Sequence, residues 1–204
     1  MFDRIAHWEG VYSTKGEKEV SWFQEDPAVS IEMIKRTDAT RDSAIIDIGG
    51  GASRLVDALL GDGYRDITVL DLSAAALEMA KARIGPASAH AAWIVADVTT
   101  WKPARQYRVW HDRAAFHFLA EADDRRAYLS CLQSATAPGA QIIIGTFALD
   151  GPEKCSGLPV QRYDGNSLAE QLGPSFEFAE TRRETHKTPW NSNQSFQFSR
   201  FRRR

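Results

Sequence analysis

A run of three glycines after a short apolar segment constrains this chain more than any other feature. Residues 44–48 are Ala-Ile-Ile-Asp-Ile, and glycines occupy positions 49–51. A second apolar run, 67–70, ends at Asp71. Glycines let the backbone turn tightly and lie against a ligand where a side chain would collide. A carboxylate at the end of the next strand is placed to accept hydrogen bonds from ribose hydroxyls. The pattern predicts a nucleotide-type cofactor site at a strand-to-helix turn.

The residues of this loop distinguish between classes of cofactor. A dinucleotide site prefers Gly-x-Gly-x-x-Gly, in which the third glycine brings the helix close to the strand and leaves room for a pyrophosphate. Arg54 stands at that third position. An NAD-dependent oxidoreductase is therefore an alternative that the loop disfavours.

The segment Asp47-Ile48-Gly49-Gly50-Gly51 resembles the first motif of the class I S-adenosylmethionine (SAM)-dependent methyltransferases. SAM has no phosphate but carries a cationic sulfonium and an ammonium, which an acidic residue at the strand end suits electrostatically. Ser53 stands where the ideal motif has a further glycine, which is a small departure. The resemblance covers about residues 42–204. It implies methyl transfer from SAM with release of S-adenosylhomocysteine (SAH).

Alternation of apolar and helical segments predicts a parallel sheet covered on both faces. Five strands are predicted at 44–48, 67–70, 92–95, 107–110 and 141–147, and two late strands at 176–184 and 194–202. Helices are predicted at 27–40, after the glycines, after an N-cap at Ser73, at about 123–136 and at about 165–172, with a turn at Pro138-Gly139. The resemblance implies a Rossmann-like three-layer α/β/α sandwich whose seven-stranded, mostly parallel sheet ends in a C-terminal antiparallel hairpin.

Length and composition favour one soluble domain. The 204 residues suffice for a single domain with a large core. A net charge of −2 argues against a dedicated nucleic-acid binder. No apolar run approaches the roughly 18–20 residues that span a bilayer, and two cysteines imply no disulfide framework. Residues 1–7 lack an apolar secretory core, so we expect a cytoplasmic protein. Nothing in the sequence indicates an oligomeric state.

Within the single domain 1–204 we expect three parts: an N-terminal lid or helical segment (1–40), a SAM-binding core (42–150), and a substrate loop with the C-terminal hairpin (151–204). The first part is rich in aromatic residues, which need burial. It is similar to segments of thiopurine-type and elongation-factor lysine methyltransferases that fold over the SAM site. We therefore predict a lid of Trp8, Tyr12, Trp22 and Phe23, with ordinary packing against the sheet as the alternative.

Ligands of doubly wound sheets bind outside the carboxyl ends of the strands. The resemblance implies ribose contacts from Asp71, adenine packing against Leu72, and an adenine amino contact to Asp97; a turn aspartate is the alternative for Asp97. The full set of expected cofactor contacts is Trp22, Asp47, Gly49, Gly50, Gly51, Asp71, Leu72, Asp97, Val98 and His111.

Methyl transfer requires alignment and desolvation of the acceptor and, for an amine or hydroxyl, removal of a proton. His111 and Asp112, expected just after the fourth strand, are the candidate bases, whereas His117 is better explained as a satisfied helical histidine. Expected acceptor contacts are Tyr12, Arg162, His186 and Trp190.

The acceptor class stays open at this point. A small molecule with a thiol, amine or carboxylate is expected first, a lysine of a protein partner second, and a non-catalytic SAM-binding protein is a further alternative. Cys155 and His186 fall short of the tetrahedral sets that zinc prefers, so no metal is expected. No nucleic-acid or membrane partner is expected either.

Overall fold

The computed structural model describes residues 3–204, so the first two residues of the predicted segment 1–40 lie outside the described part. The helices of the described part are α1 (Arg4–Thr14), α2 (Ala28–Lys35), α3 (Leu55–Gly61), α4 (Ala74–Ile84), α5 (Ala122–Ala135) and α6 (Gly165–Leu172). Its strands are β1 (Ile45–Ile48), β2 (Ile67–Asp71), β3 (Ala91–Val95), β4 (Tyr107–Arg113), β5 (Thr136–Phe147), β6 (Lys154–Cys155), β7 (Leu158–Pro159), β8 (Phe176–Lys187) and β9 (Asn193–Arg203).

Seven strands form one sheet in the order β3-β2-β1-β4-β5-β9-β8. The first five are parallel to one another, and β9 runs antiparallel to both β5 and β8. Six strands therefore point in one direction and only β9 in the other. This confirms the predicted mostly parallel sheet with its C-terminal hairpin. The short strands β6 and β7 pair separately.

Helices cover the two faces of the sheet. Successive side chains of a strand point to opposite faces, so each buried strand feeds two cores. One core joins Trp110 and Ile142 to Tyr128 of α5 and Leu168 of α6. The other core joins the alternate strand positions to apolar side chains of α2, α3 and α4: Ile45, Val109, Ile143, Met33, Leu55 and Leu77. The three-layer α/β/α architecture is confirmed.

β4 is longer than predicted. The sequence placed its end at residue 110, with His111 and Asp112 beyond it, but the strand continues through Arg113. The reason is tertiary: β4 lies between β1 and β5, and its ladder continues on both sides, with His111 opposite Asp47 and Ile143. His111 and Asp112 therefore project to opposite faces inside the protein instead of standing at the rim.

Other boundaries differ for local reasons. β5 begins directly after α5, so the predicted turn at Pro138-Gly139 is wrong; Gly139, with φ of +90°, lies in an irregular stretch of the strand where the pairing to β4 shifts register. α2 ends at Lys35 and not at residue 40, and the Thr37 hydroxyl donates to the Ile34 carbonyl just beyond it. The helix predicted at 165–172 is confirmed. Within 3–204, no helix has the length and apolarity needed to cross a membrane.

A buried hydrogen-bond chain joins β4 to α5. The indole Nε1 of Trp110 donates to the Tyr128 hydroxyl (2.8 Å), which donates to Asp112 Oδ2 (2.7 Å). Asp112 also accepts from the backbone N–H of Ala115 (2.9 Å) and caps the short turn that follows the strand. Burial raises the pKa of Asp112 to about 6, and the hydrogen bonds oppose that rise.

Replacing Tyr128 with Phe should lower the free energy of unfolding by about 1–3 kcal/mol, because a buried carboxylate and a buried indole N–H each lose a partner. The folded-state pKa of Asp112 lies near 6, above its ordinary 3.8, so the charged form is present at pH 8 and much less so at pH 5. The loss should therefore be larger at pH 8. Urea unfolding at the two pH values measures it. Tyr107→Phe, at a core tyrosine outside this chain of bonds, is the control; equal losses in the two variants would contradict the assignment.

Candidate functional site

A largely apolar cavity lies at the carboxyl ends of β1, β2 and β4. The predicted cofactor residues Gly49, Asp71, Leu72, Asp97 and Val98 share its wall. The rest of the lining comes from α1 and the segment after it, from the ends of β1 and β2, from the residue after β3, and from the end of β4 onward: Arg4, Trp8, Tyr12, Trp22, Ile48, Leu70, Ala96, Arg113, Ala114, Ala115, Phe118, Leu119 and Cys155.

The glycine turn forms the floor of this cavity at close quarters. The N–H groups of Gly49 and Gly50 both donate to the Leu70 carbonyl, at 2.8 and 3.2 Å. Gly49 has φ of +66°, and a Cβ there would lie 2.7 Å from the Cβ of Ala115. A side chain at this position would therefore have a strained backbone and too little space, so the turn requires glycine here.

Asp71 stands at the end of β2 beside the glycine turn. Its Oδ1 accepts from the backbone N–H of Ser73 (2.8 Å), and Ser73 caps α4 as predicted, accepting from the N–H of Ala76. A Cβ built on Gly51 would lie 3.0 Å from Asp71 Oδ2, so a side chain at position 51 would crowd this oxygen. Burial raises the pKa of Asp71 to about 7, and the charge of Asp47 adds to the rise.

Asp97 is more engaged than predicted. Its Oδ1 accepts from the backbone N–H of Thr99 (2.8 Å), which is the turn geometry that stood as the alternative. Its Oδ2 accepts from Nη2 of Arg4 at 3.0 Å. Arg4 also pairs with Asp124. Asp97 still lines the cavity, but α1 already occupies one of its oxygens.

Aromatic side chains of the N-terminal segment cover the cavity. The rings of Trp8 and Trp22 meet edge to face at 5.5 Å, and Trp8 meets Phe118 at 4.9 Å. Nε1 of Trp22 donates to the Tyr12 hydroxyl at 3.0 Å. Phe23, the fourth predicted lid residue, lies on a second, adjoining cavity instead.

Ionic contacts hold the N-terminal segment on the core. Glu9 accepts from the Ser73 hydroxyl (2.7 Å) at the start of α4. Glu17 bridges Arg54 (2.7 Å) and Arg83 (2.6 Å). Arg54, the residue that departs from the dinucleotide motif, thus acts as an anchor for this segment.

His111 and Asp112 do not present a free atom to the main cavity. Nδ1 of His111 bonds Oδ1 of Asp47 at 2.7 Å, and Nε2 bonds the Ser30 hydroxyl at 2.9 Å. Asp112 is fully buried on the other face of the sheet with Tyr128. Because both lie inside a central strand, the geometry disfavours the predicted role of either as a base. His117 is buried as well, and its Nδ1 accepts from the Phe147 N–H. Its Nε2 is buried with no hydrogen-bond partner among the described residues, so the predicted satisfied histidine is bonded through one of its two ring nitrogens.

The second cavity adjoins the first across Tyr12, Trp22, Gly49 and Arg113, which line both. It also contains the predicted residues Asp47, Gly50 and His111. Arg113, which lines both cavities, is a charged residue to which the sequence assigned no role. The only signal for it was its place directly after Asp112.

Three of the four predicted acceptor residues lie away from these cavities. Arg162 bonds the Gly151 carbonyl and Glu153, and Trp190 is 58% exposed in the turn between β8 and β9. His186 donates from Nε2 to the Ser21 carbonyl at 2.7 Å. Tyr12 alone lines the site. The positions of Arg162, His186 and Trp190 in the sequence suggested that they are exposed, but could not show which loops face the carboxyl ends of the strands.

Cys155 lies in the cavity wall, and burial raises the pKa of its thiol to about 11, so it is not an activated nucleophile. Among residues 3–204, no group of three or more His, Cys, Asp or Glu side chains is arranged to hold a metal ion.

Residues 45–139 match the sequence model of the family described as a methyltransferase domain. The chain contains a class I SAM-dependent methyltransferase domain. The matched residues run from β1 through the glycine turn and Asp71 into β5, and so include the floor of the cavity. The protein is accordingly an enzyme of the methyltransferase class. No curated protein matches the sequence.

Solved structures, among them those of named methyltransferases, share the fold along at least 98% of this chain. A SAM-dependent methyltransferase from Anabaena variabilis has a TM-score of 0.78 at 14% identity, covering 100% of this chain and 96% of that one. A protein of echinomycin biosynthesis, studied for conversion of a disulfide bond into a thioacetal group, has a TM-score of 0.77 at 20% identity, with coverages of 98% and 93%. The N-methyltransferase NodS from Bradyrhizobium japonicum, in complex with SAH, has a TM-score of 0.74 at 13% identity, with coverages of 98% and 99%.

Replacing Gly49 with Ala should destabilise the methyltransferase and weaken SAH binding about tenfold or more, because the turn must move away from Ala115. Gly63→Ala is the matched control: Gly63 also has positive φ (+84°) but nothing lies within 4 Å of its Cβ position. The control should lose only about 1–2 kcal/mol from backbone strain and keep SAH affinity. Urea unfolding and calorimetric titration separate the two effects. Equal behaviour of the two variants would mean that the contact with Ala115 is unimportant.

Proposed function

We propose that this methyltransferase transfers a methyl group from SAM to a small-molecule acceptor that carries a thiol, amine or carboxylate. The observation that carries the proposal is the cavity in which the glycine turn and Asp71 face a wall of aromatic side chains. When bound, SAM supplies a methyl group already activated by its sulfonium. The protein then has to bind, orient and desolvate the reactants.

The residues present fit the parts of SAM. Asp71 offers an acceptor oxygen for ribose hydroxyls, and Leu72 and Val98 offer apolar surface for adenine. Glycine at positions 49 and 51 lets the backbone approach the methionine part. Trp8 and Trp22 exclude water, and an aromatic face also attracts a cation such as the sulfonium.

The proposed acceptor chemistry rests on two observations: the candidate bases already make buried hydrogen bonds, and the structurally similar proteins have described chemistries. With His111 and Asp112 engaged in buried hydrogen bonds, we assign no base. An acceptor that loses its proton easily suits such a site, and thiols ionise appreciably near neutral pH. One structural neighbour is described by the conversion of a disulfide bond into a thioacetal group, and NodS is an N-methyltransferase. Sulfur and amine acceptors are therefore the first to test. The cytoplasmic location and the single-domain organisation stay predictions.

Calorimetric titration with SAH, with NAD in parallel, tests the cofactor. We expect micromolar or tighter binding of SAH and none of NAD, because no third glycine makes room for a pyrophosphate. Thiol and amine panels with labelled SAM then test transfer, and a panel of basic proteins tests a lysine acceptor. Binding of NAD in place of SAH would overturn the proposal, and SAH binding without transfer to any panel member would favour a non-catalytic SAM-binding protein.

Affinity for SAH should depend on the charge of Asp71. With a pKa near 7 in the unliganded protein and ribose hydroxyls that favour the carboxylate, SAH should bind about tenfold more weakly at pH 6 than at pH 8. Asp71→Asn should lose about 10- to 100-fold in affinity at pH 8 and show little pH dependence. Asp66→Asn is the control, since Asp66 lies before the other end of β2 and pairs with Arg105. A flat wild-type profile would remove Asp71 from the cofactor site.

A further inference from the structure

The guanidinium of Arg113 is the unusual charge of this site. It lies at the end of β4, in the wall shared by the two cavities. Nη1 donates to the Trp22 carbonyl at 3.1 Å, but Nε and Nη2 are shielded from solvent and have no hydrogen-bond partner among the described residues. Five N–H donors in a fixed fork match the geometry of a carboxylate, so an unused edge of this kind is a ready anion site.

The surrounding acids do not satisfy this edge. Asp47 is bonded to His111, and Glu184 accepts from Gln24 Nε2 at 2.8 Å through one oxygen, while its other oxygen is buried without a partner. Both carboxylates act on Arg113 through space without a hydrogen bond to it. Burial lowers the pKa of Arg113 to about 10, so the side chain stays charged at neutral pH.

Other cations near the main cavity are already used. Arg4 pairs with Asp97 and Asp124, and Arg54 and Arg83 pair with Glu17. The carbon of the Arg113 guanidinium lies 4.5 Å from the centre of the Phe196 ring, which supports one face of the planar group and leaves its edge for a ligand. A buried, charged, incompletely bonded group is costly unless something pairs with it.

We infer that Arg113 binds a carboxylate at the junction of the two cavities, either on the methyl acceptor or on the methionine end of the cofactor. The inference rests on the proposed function for the identity of these ligands. A carboxylate on the acceptor would make the enzyme select small acids. A carboxylate on the cofactor would make Arg113 part of the SAM site.

Titrations of Arg113→Met with two cofactor fragments separate the sources. SAH carries the aminocarboxylate, and 5′-methylthioadenosine keeps the adenosine end without it. If Arg113 binds the cofactor, the variant should bind SAH about 10- to 100-fold more weakly and 5′-methylthioadenosine as the wild type does.

A thiol that carries a carboxylate and its matched amide test whether Arg113 binds the acceptor. The binding of 4-mercaptobenzoate and of 4-mercaptobenzamide is measured on the protein alone and on its SAH complex. If Arg113 binds the acceptor, the wild type should prefer the acid, and Arg113→Met should lose that preference while binding SAH normally. Arg113→Lys keeps the charge and should restore part of whichever affinity is lost. Arg200→Met, at a guanidinium bonded to Glu180 of β8 and Gln141 of β5, should change the binding of neither ligand.

The outcomes distinguish the inference from the proposed function. Unchanged binding of SAH and of the acid by folded Arg113→Met would overturn the inference and leave the methyltransferase site intact. Failure of the wild type to bind SAH would overturn the proposed function, whereas arginine-dependent binding of the acid to the protein alone would still support a carboxylate site. Thermal unfolding checks that each variant is folded, and Arg113→Lys serves for both titrations if the Met variant unfolds.

Discussion

The structure depends on the close approach of the turn after β1 to the ends of β2 and β4. The Leu70 carbonyl receives two successive N–H groups of this turn, and Gly49 lies where a Cβ would collide with Ala115. This contact sets the floor of the main cavity. It also places Asp71 beside Gly51 and Tyr12 above it, so the cofactor residues and the N-terminal segment take their positions from one backbone geometry.

The polar side chains of the central strand β4 project to opposite faces of the sheet. Alternation sends His111 to Asp47 and Ser30 on one face and Asp112 to Tyr128 on the other. Both groups are thereby used to join layers of the fold, since buried polar groups are costly unless bonded. Arg113, the last residue of the same strand, lines both cavities, and its guanidinium keeps unbonded donors there. The titratable groups inside the strand, His111 and Asp112, are thus used in hydrogen bonds within the fold, and the charged group at its end, Arg113, remains for binding a ligand.

The N-terminal segment completes a site that the sheet alone leaves open. Glu9 and Glu17 tie it to the start of α4 and to two arginines of the core, and Arg4 ties it to Asp97. These partly buried ion pairs hold Trp8 and Trp22 over the cavity. Moving this segment away from the core would break these contacts.

The sequence by itself determined the features that depend on neighbours along the chain. The apolar run, the glycines and Asp71 indicated the family and the parallel sheet, and Ser73 indicated the start of α4, because turn and capping chemistry acts over a few residues. Only the tertiary structure decided the length of β4, the faces of His111 and Asp112, and the pairing of Arg4 with Asp97. Those outcomes join residues far apart in the chain, where strand pairing and burial, and not local pattern, select the partner.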